Sequence, residues 1–208
     1  MKLDQAFYSR SSATQIAKEL LGKVIFTRFH GKITAGIITE TEAYEGITDK
    51  ASHAFNNRRT DRTEIMYKNG GLAYVYLCYG VHHLFNFVTN QKGIPHAVLL
   101  RGIYPTTGIQ TMEKRTKKKF SQKGFSDGPG KLSKALAIKT THTGLDLTGD
   151  KIWVEDDGIK INDEDIIVTP RIGVDYAGED AALPYRFLIK PLSIKNPATN
   201  IRDGILDL

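Results

Sequence analysis

Glu40, Glu42 and Tyr44 alternate through the run Glu40-Thr41-Glu42-Ala43-Tyr44, so on a persisting strand all three share one side. Carboxylates beside a phenol at a strand end can form the mouth of a site that handles water and protons, although such pairs more often mark a solvated edge. Arg101 is the one charge in the apolar run from Ala97 to Ile103. An arginine buried there needs an anionic partner, so a carboxylate is expected across from it. The third group is aromatic. Leu72 to Asn86 reads as a strand, a tight reversal and a returning strand, with Tyr74 and Tyr76 on one face and Val75 and Leu77 on the other. Gly80 is the residue there free to take positive φ, which puts Tyr79 at or near an exposed tip. Tyrosines of amphipathic hairpins commonly bury their rings and turn their hydroxyls to water. Three tyrosines within six residues, one of them at the turn, suit instead a surface that stacks on flat rings.

Charge points the same way. The chain carries 29 Lys and Arg against 23 Asp and Glu. Lys114, Arg115, Lys117, Lys118, Lys119 and Lys123 crowd one segment, while Asp156, Asp157, Asp163, Glu164 and Asp165 crowd another. Such segregation fits a polyanion on one side, against the simpler reading of two solvated loops. Cys78 is the sole cysteine, which excludes an internal disulfide and any zinc site built on two thiolates. The histidines show no ligand spacing beyond the adjacent His82-His83, which face opposite ways on a strand, so no metal is expected. An aromatic platform, a basic surface, a strand-end carboxylate and a buried arginine are the parts needed to hold a nucleobase outside the helix and hydrolyse what attaches it.

The elements that must position these groups follow from pattern. At 208 residues without a composition break, one large domain is expected. No apolar run nears membrane-spanning length, and residues 1–5 lack the apolar core of a signal peptide, so a cytoplasmic protein without a membrane association is expected. Ser12-Ala13-Thr14-Gln15 has capping-box form, and Ala13, Ile16, Ala17, Leu20 and Leu21 follow helical spacing until Gly22. Residues 23–29 and 33–41 read as strands of a hairpin around His30-Gly31-Lys32. From Gly46 to Gly71 the chain is a long polar loop holding Asp49, His53, Arg58, Arg59 and Arg62, and loops of this length are usually functional or disordered. Residues 106–123 suggest a helix and then a basic loop. Pro129 suits a first helical turn, Leu132, Ala135 and Leu136 form an apolar stripe, and Lys131 near the helix start makes a plausible phosphate contact. Residues 152–154 and 166–168 are further strands, 171–174 and 185–189 look like closing elements, and a polar tail follows Pro191.

Several blocks carry a family resemblance. They are Glu42-Ala43-Tyr44 followed by His53, Tyr74-Val75-Tyr76-Leu77-Cys78-Tyr79-Gly80 through Asn86, and Val98-Leu99-Leu100-Arg101. Gly130-Lys131-Leu132 with Ala135 to Ile138, and Arg171-Ile172-Gly173-Val174 through Glu179, complete the set. In this order, from about residue 12 to residue 190, the chain resembles the alkyladenine type of 3-methyladenine DNA glycosylase. The resemblance implies a monomeric, single-domain α+β enzyme with a curved, mainly antiparallel β-sheet flanked by helices, a protruding β-hairpin and no cofactor. It implies excision from damaged double-stranded DNA of alkylated or deaminated purines, of the 3-methyladenine, 7-methylguanine, hypoxanthine and ethenoadenine class. Glu42 would be the general base for an attacking water, with Arg101 and the main-chain carbonyl of Ile172 helping to place that water. Tyr44 and His53 would pack on one face of the extruded base and Tyr76 on the other, while Asn86 would discriminate against the amino group of guanine. Tyr79 would fill the gap in the base stack, with Arg58 and Lys131 on DNA. The chain departs from the family pattern at Ile94-Pro95-His96, and residues 113–123 offer least to compare.

Flipping costs a few kcal/mol of unstacking and unpairing, and an aromatic wedge returns about 1–3 kcal/mol of stacking. Cleavage through an oxocarbenium-like sugar needs one carboxylate to stabilise charge and take the water proton. Two rivals are a nucleic-acid-binding module without catalysis and a hydrolase of free nucleosides. A pure binder has no use for Arg101 opposite Glu42, and a nucleoside hydrolase needs neither the basic segment nor an exposed Tyr79.

Overall fold

The computed structural model describes residues 1–190, so the polar tail lies outside the described residues. Helices α1 (Gln5–Tyr8) and α2 (Ala13–Leu20) lead into strands β1 (Val24–Phe29) and β2 (Lys32–Tyr44). Strands β3 (Ala73–Cys78), β4 (His82–Thr89) and β5 (His96–Thr107) follow, then helices α3 (Ile109–Thr116) and α4 (Pro129–Ala135). Strands β6 (Ile152–Glu155), β7 (Ile166–Thr169) and β8 (Arg186–Ile189) complete an antiparallel sheet of eight. Its order is β3-β4-β5-β2-β1-β6, with β8 on β2 and β7 on β8. This is the α+β arrangement expected from the sequence. Among the described residues no helix is long and apolar enough to cross a membrane.

Helix α2 begins where the cap residue says it should: Ser12 Oγ accepts from the Gln15 N–H at 3.1 Å. The reciprocal half of the box is absent, because the Gln15 side chain donates to Glu19 instead. Ala13, Ile16, Ala17 and Leu20 are fully buried, and Thr41 Oγ1 donates to the Ala17 carbonyl at 2.8 Å, tying the helix to β2.

Strand β2 is the axis of the sheet. Its first half pairs with β1, its residues 40–42 pair with β8, and β5 runs along the other edge. The β2–β5 ladder steps from Ile38↔Ile103 to Glu40↔Gly102 and then to Thr41↔Leu100, so Thr39 and Arg101 are left without partners. Bulges of this kind re-aim side chains. Gly102 makes room for the second step, since a Cβ there would lie 2.8 Å from Thr39 Oγ1 and 3.0 Å from Glu40 Cβ.

The hairpin β3–β4 closes through the Val81 N–H donating to the Cys78 carbonyl. Tyr79 takes φ 49° and Gly80 φ 73°. Positive φ was expected of Gly80 alone; a reversal with the right twist asks it of two successive residues, and Tyr79 supplies the other. That backbone is costly for a bulky residue, and the ring it carries is 93% exposed.

Two other expectations are corrected. Thr106 and Thr107 extend β5 rather than opening a helix. Arg115 is not part of the basic loop: its Nη1 donates to Thr34 Oγ1 and to the Ala135 carbonyl at 2.8 Å, joining α3 to β2 and to the end of α4. Residues 171–174, read from the sequence as a closing element, form an irregular bend followed by a 3₁₀ stretch from Asp175 to Ala182.

Candidate active site

A cavity of about 380 Å³ opens between the aromatic face of the β3–β4 hairpin, the end of β2 and the 171–176 bend. Tyr44, His53, Tyr76, Asn86, Arg101 and Ile172 line it, with Tyr79 and Lys131 at its edge. Of the residues that the family resemblance assigns to the site, two do not contribute to its wall. Arg58 lies outside, exposed on the long loop, while Glu42 sits directly behind the wall and is 0% exposed.

Glu42 is held by three donors. Its Oε1 accepts from the Ile172 N–H at 2.8 Å and lies 3.3 Å from Arg101 Nε, and its Oε2 accepts from the Tyr44 hydroxyl at 2.8 Å. Desolvation by burial nonetheless raises its pKa above the usual glutamate range; Arg101, the Ile172 N–H and Tyr44 oppose that shift without cancelling it. The result is a carboxylate with more than ordinary affinity for a proton. Arg101 is thus beside Glu42, as its place in an apolar strand required, but its shorter contact is to Glu40 Oε1 at 2.8 Å. At Ile172 it is the N–H that meets Glu42, whereas the sequence reading concerned the carbonyl.

The bend is fixed from below by a residue to which the sequence assigns no role beyond its place in the 171–179 block. Arg171 is fully buried, with Nη2 donating to Asp49 Oδ1 at 2.8 Å, Nη1 to Asp49 Oδ2, and Nη1 also to the Ala43 carbonyl at 2.9 Å. Its guanidinium lies 4.8 Å from the Tyr44 ring and 5.2 Å from that of Tyr185. One side chain therefore joins the long loop, the end of β2 and the Ile172 bend.

The aromatic wall differs from the expected sandwich. His53 and Tyr76 touch edge to face, with centroids 4.6 Å apart, leaving no room for a third ring between them. His53 Nδ1 shares a 2.7 Å hydrogen bond with the hydroxyl of Tyr74, a cavity-lining residue recognised in the sequence only as part of the platform. Burial, assisted by Arg62 and Arg58, lowers the His53 pKa to about 4, so the ring is neutral at physiological pH. Asn86 Nδ2 donates to the carbonyls of Tyr74 and Leu84, which locks the carboxamide against the floor. Tyr176, with its hydroxyl on the Ala51 carbonyl, also lines the cavity, and nothing in its sequence context marked it. Among the described residues no group of three or more His, Cys, Asp or Glu could hold a metal ion.

Comparison with known proteins gives first the class. A Clostridium perfringens protein is 43% identical over 198 residues, covering 91% of this chain and 96% of its own length. A Chlamydia felis protein is 45% identical over 188 residues, covering 90% of this chain and 95% of its own. A Clostridium acetobutylicum protein is 44% identical over 197 residues, covering 91% and 95%. All three are provisionally named as 3-methyladenine DNA glycosylases. The family profile for methylpurine-DNA glycosylase matches residues 6–192, and the chain belongs to that family.

Proposed function

We propose that the chain acts, as a monomeric single domain, on damaged double-stranded DNA, flips an alkylated or deaminated purine into the cavity and hydrolyses its N-glycosidic bond. The observation that carries this reading is Glu42: a fully buried carboxylate of raised proton affinity, in contact with Arg101, directly behind an aromatic cavity. The water enters where Glu42 is held most loosely, beside Arg101 at 3.3 Å. Its oxygen bonds to the anomeric carbon, its proton passes to Glu42, and the glycosidic electron pair leaves with the purine. A purine alkylated on a ring nitrogen already carries positive charge and leaves neutral, whereas a deaminated purine is neutral and takes a proton from solvent on a ring nitrogen as it leaves. Negative charge on Glu42 stabilises the oxocarbenium-like sugar.

The base lies between Tyr44 and the Tyr76 wall, with His53 at its edge. A neutral His53 and a ring of tyrosines favour a cationic base over a neutral one. Asn86, fixed by two main-chain bonds, cannot swing aside for the amino group of guanine. The test is single-turnover release of hypoxanthine or an alkylated purine from a labelled duplex, with the free nucleoside run beside it. Release from the duplex alone supports the proposal; binding without release, or equal turnover of the nucleoside, removes it.

Tyr79 is the wedge in this reading. Asn tolerates left-handed backbone better than Tyr, so Tyr79→Asn should keep or raise Tm while weakening lesion-duplex affinity by about 1–3 kcal/mol. A clear fall in Tm with affinity intact would make the ring a structural one.

Lys114, Lys117, Lys118, Lys119 and Lys123 are exposed, with Lys119 near Glu113 at 3.5 Å. If DNA extends from the hairpin to this surface, replacing Lys117, Lys118 and Lys119 by Ala weakens lesion and undamaged duplexes alike, because phosphate contacts carry no lesion information. The slope of log affinity against log salt should shrink by about one unit per lost contact. An unchanged slope would move the phosphate contacts to Arg58, Arg59, Arg62 and Lys131.

A further inference from the structure

Glu40 contributes nothing to the cavity wall, and its side chain is 17% exposed. Its Oε1 accepts from Arg101 Nε at 2.8 Å and from Arg186 Nε at 2.6 Å. The same Arg101 Nε–H reaches Glu42 only at 3.3 Å. The stronger bond of the cavity arginine therefore points away from the buried carboxylate. Considerable structure is spent on this arrangement: the two ladder irregularities at Thr39 and Arg101, and a glycine at 102 whose missing side chain leaves space for Glu40.

We propose that Glu40 is a positioning residue for the hydrolysis, holding Arg101 by its Nε so that this cation does not close on Glu42 as a full ion pair. The inference rests on Glu42 being the base. A carboxylate in a close, two-pronged pair with arginine is a poor base, its pKa drawn down by about 1–3 units. Sharing one N–H between two carboxylates avoids that outcome. It also leaves the outer nitrogens of Arg101, which lines the cavity, for the substrate side.

The charges around Glu42 make the effect readable. Arg101 faces it from β5, Arg186 is paired opposite it on β8, and Arg171 acts from the bend. Tyr44 and Glu40 belong to its own strand, and Tyr76 and Tyr176 lie within electrostatic range. Glu40 is the negative member of this set, and its charge supports proton affinity at Glu42. Arg186 neutralises part of Glu40. Removing Glu40 or Arg186 should therefore move Glu42 in opposite directions.

The experiment is the pH profile of single-turnover base release at saturating enzyme, for wild type, Glu40→Gln and Arg186→Met, with lesion affinity and Tm measured on each. Glu40→Gln replaces the charged acceptor with a neutral amide oxygen, which holds Arg101 and Arg186 only about half as strongly and frees Arg101 to close on Glu42. Its acid limb should move down by about one pH unit, and its plateau should fall on the order of tenfold to a hundredfold, with lesion affinity unchanged. Arg186→Met should move the limb up. Opposite shifts cannot come from general destabilisation. A limb that stays put in both variants overturns the proposal, leaving Glu40 as a tie between β2, β5 and β8. Should Glu40→Gln not fold, Arg186→Met decides by itself, an upward limb supporting the proposal and an unmoved one overturning it. Base release that survives Glu42→Gln overturns this inference together with the assignment of the base, and that variant tells the two failures apart.

Discussion

Glu42→Gln should leave the fold intact and lose base release by about 10² to 10⁴-fold or more, the sum of the general-base and electrostatic contributions. The substitution fits the existing bonds. A Gln oxygen can accept from the Ile172 N–H and Arg101, and its amide nitrogen can donate to the Tyr44 oxygen, where Oε1 and Oε2 now lie. Stability follows from the direction of the pKa shift. Because the folded-state pKa of Glu42 is raised, the stability linked to its protonated form is fully present below the unfolded glutamate pKa and is lost as pH rises through the folded value. At neutral pH wild type therefore carries an unfavourable buried charge that Gln lacks. Tm of the variant at neutral pH should equal or exceed that of wild type, with the difference closing in acid. Comparable single-turnover rates for the two proteins would end the assignment of Glu42 as base.

The largest loss of stability should come from Asp49. Asp49→Leu leaves the Arg171 guanidinium buried with carbonyl partners alone, and stranding one member of a buried pair costs about 3–5 kcal/mol. For a chain of this size that is a fall in Tm on the order of 10 °C. The Ile172 N–H, the Tyr44 ring and the loop carrying His53 all lean on Arg171, so base release should fall as well. Denaturant unfolding checks the first part; a change below about 1 kcal/mol would show that the pair holds nothing together.

The sequence made some of this legible for physical reasons. Arg101 could be read because a charge inside an apolar run must have a partner, and Glu42 lies 3.3 Å away. The same reasoning applied to Arg171, beside Ile-Gly-Val, would have pointed to a buried acid, but nothing local connects it to Asp49, 122 residues earlier. Alternation put Glu40, Glu42 and Tyr44 on one side. It could not show that Arg101 would choose Glu40, because that depends on bulges fixed by the pairing of two distant strands. The helix and strand runs were readable from periodicity, while Arg115 was misread because a lysine-rich neighbourhood hides a side chain that turns inward. His53 was placed in the site, but its edge-on contact with Tyr76 depends on the course of a loop without any repeating pattern.

Strand β2 is flanked by β1 over its first half and by β8 at residues 40–42, and β8 lies some 140 residues further along the chain: Arg186 meets Glu40 across 146 positions. Ile172 meets Glu42 across 130. Loops of that length close slowly compared with a local hairpin. During synthesis Glu42 can therefore meet Tyr44 and Arg101 well before the Ile172 N–H reaches it. If Glu42 is the base, a nascent chain lacks the full set of its donors until the Ile172 bend has docked on β2.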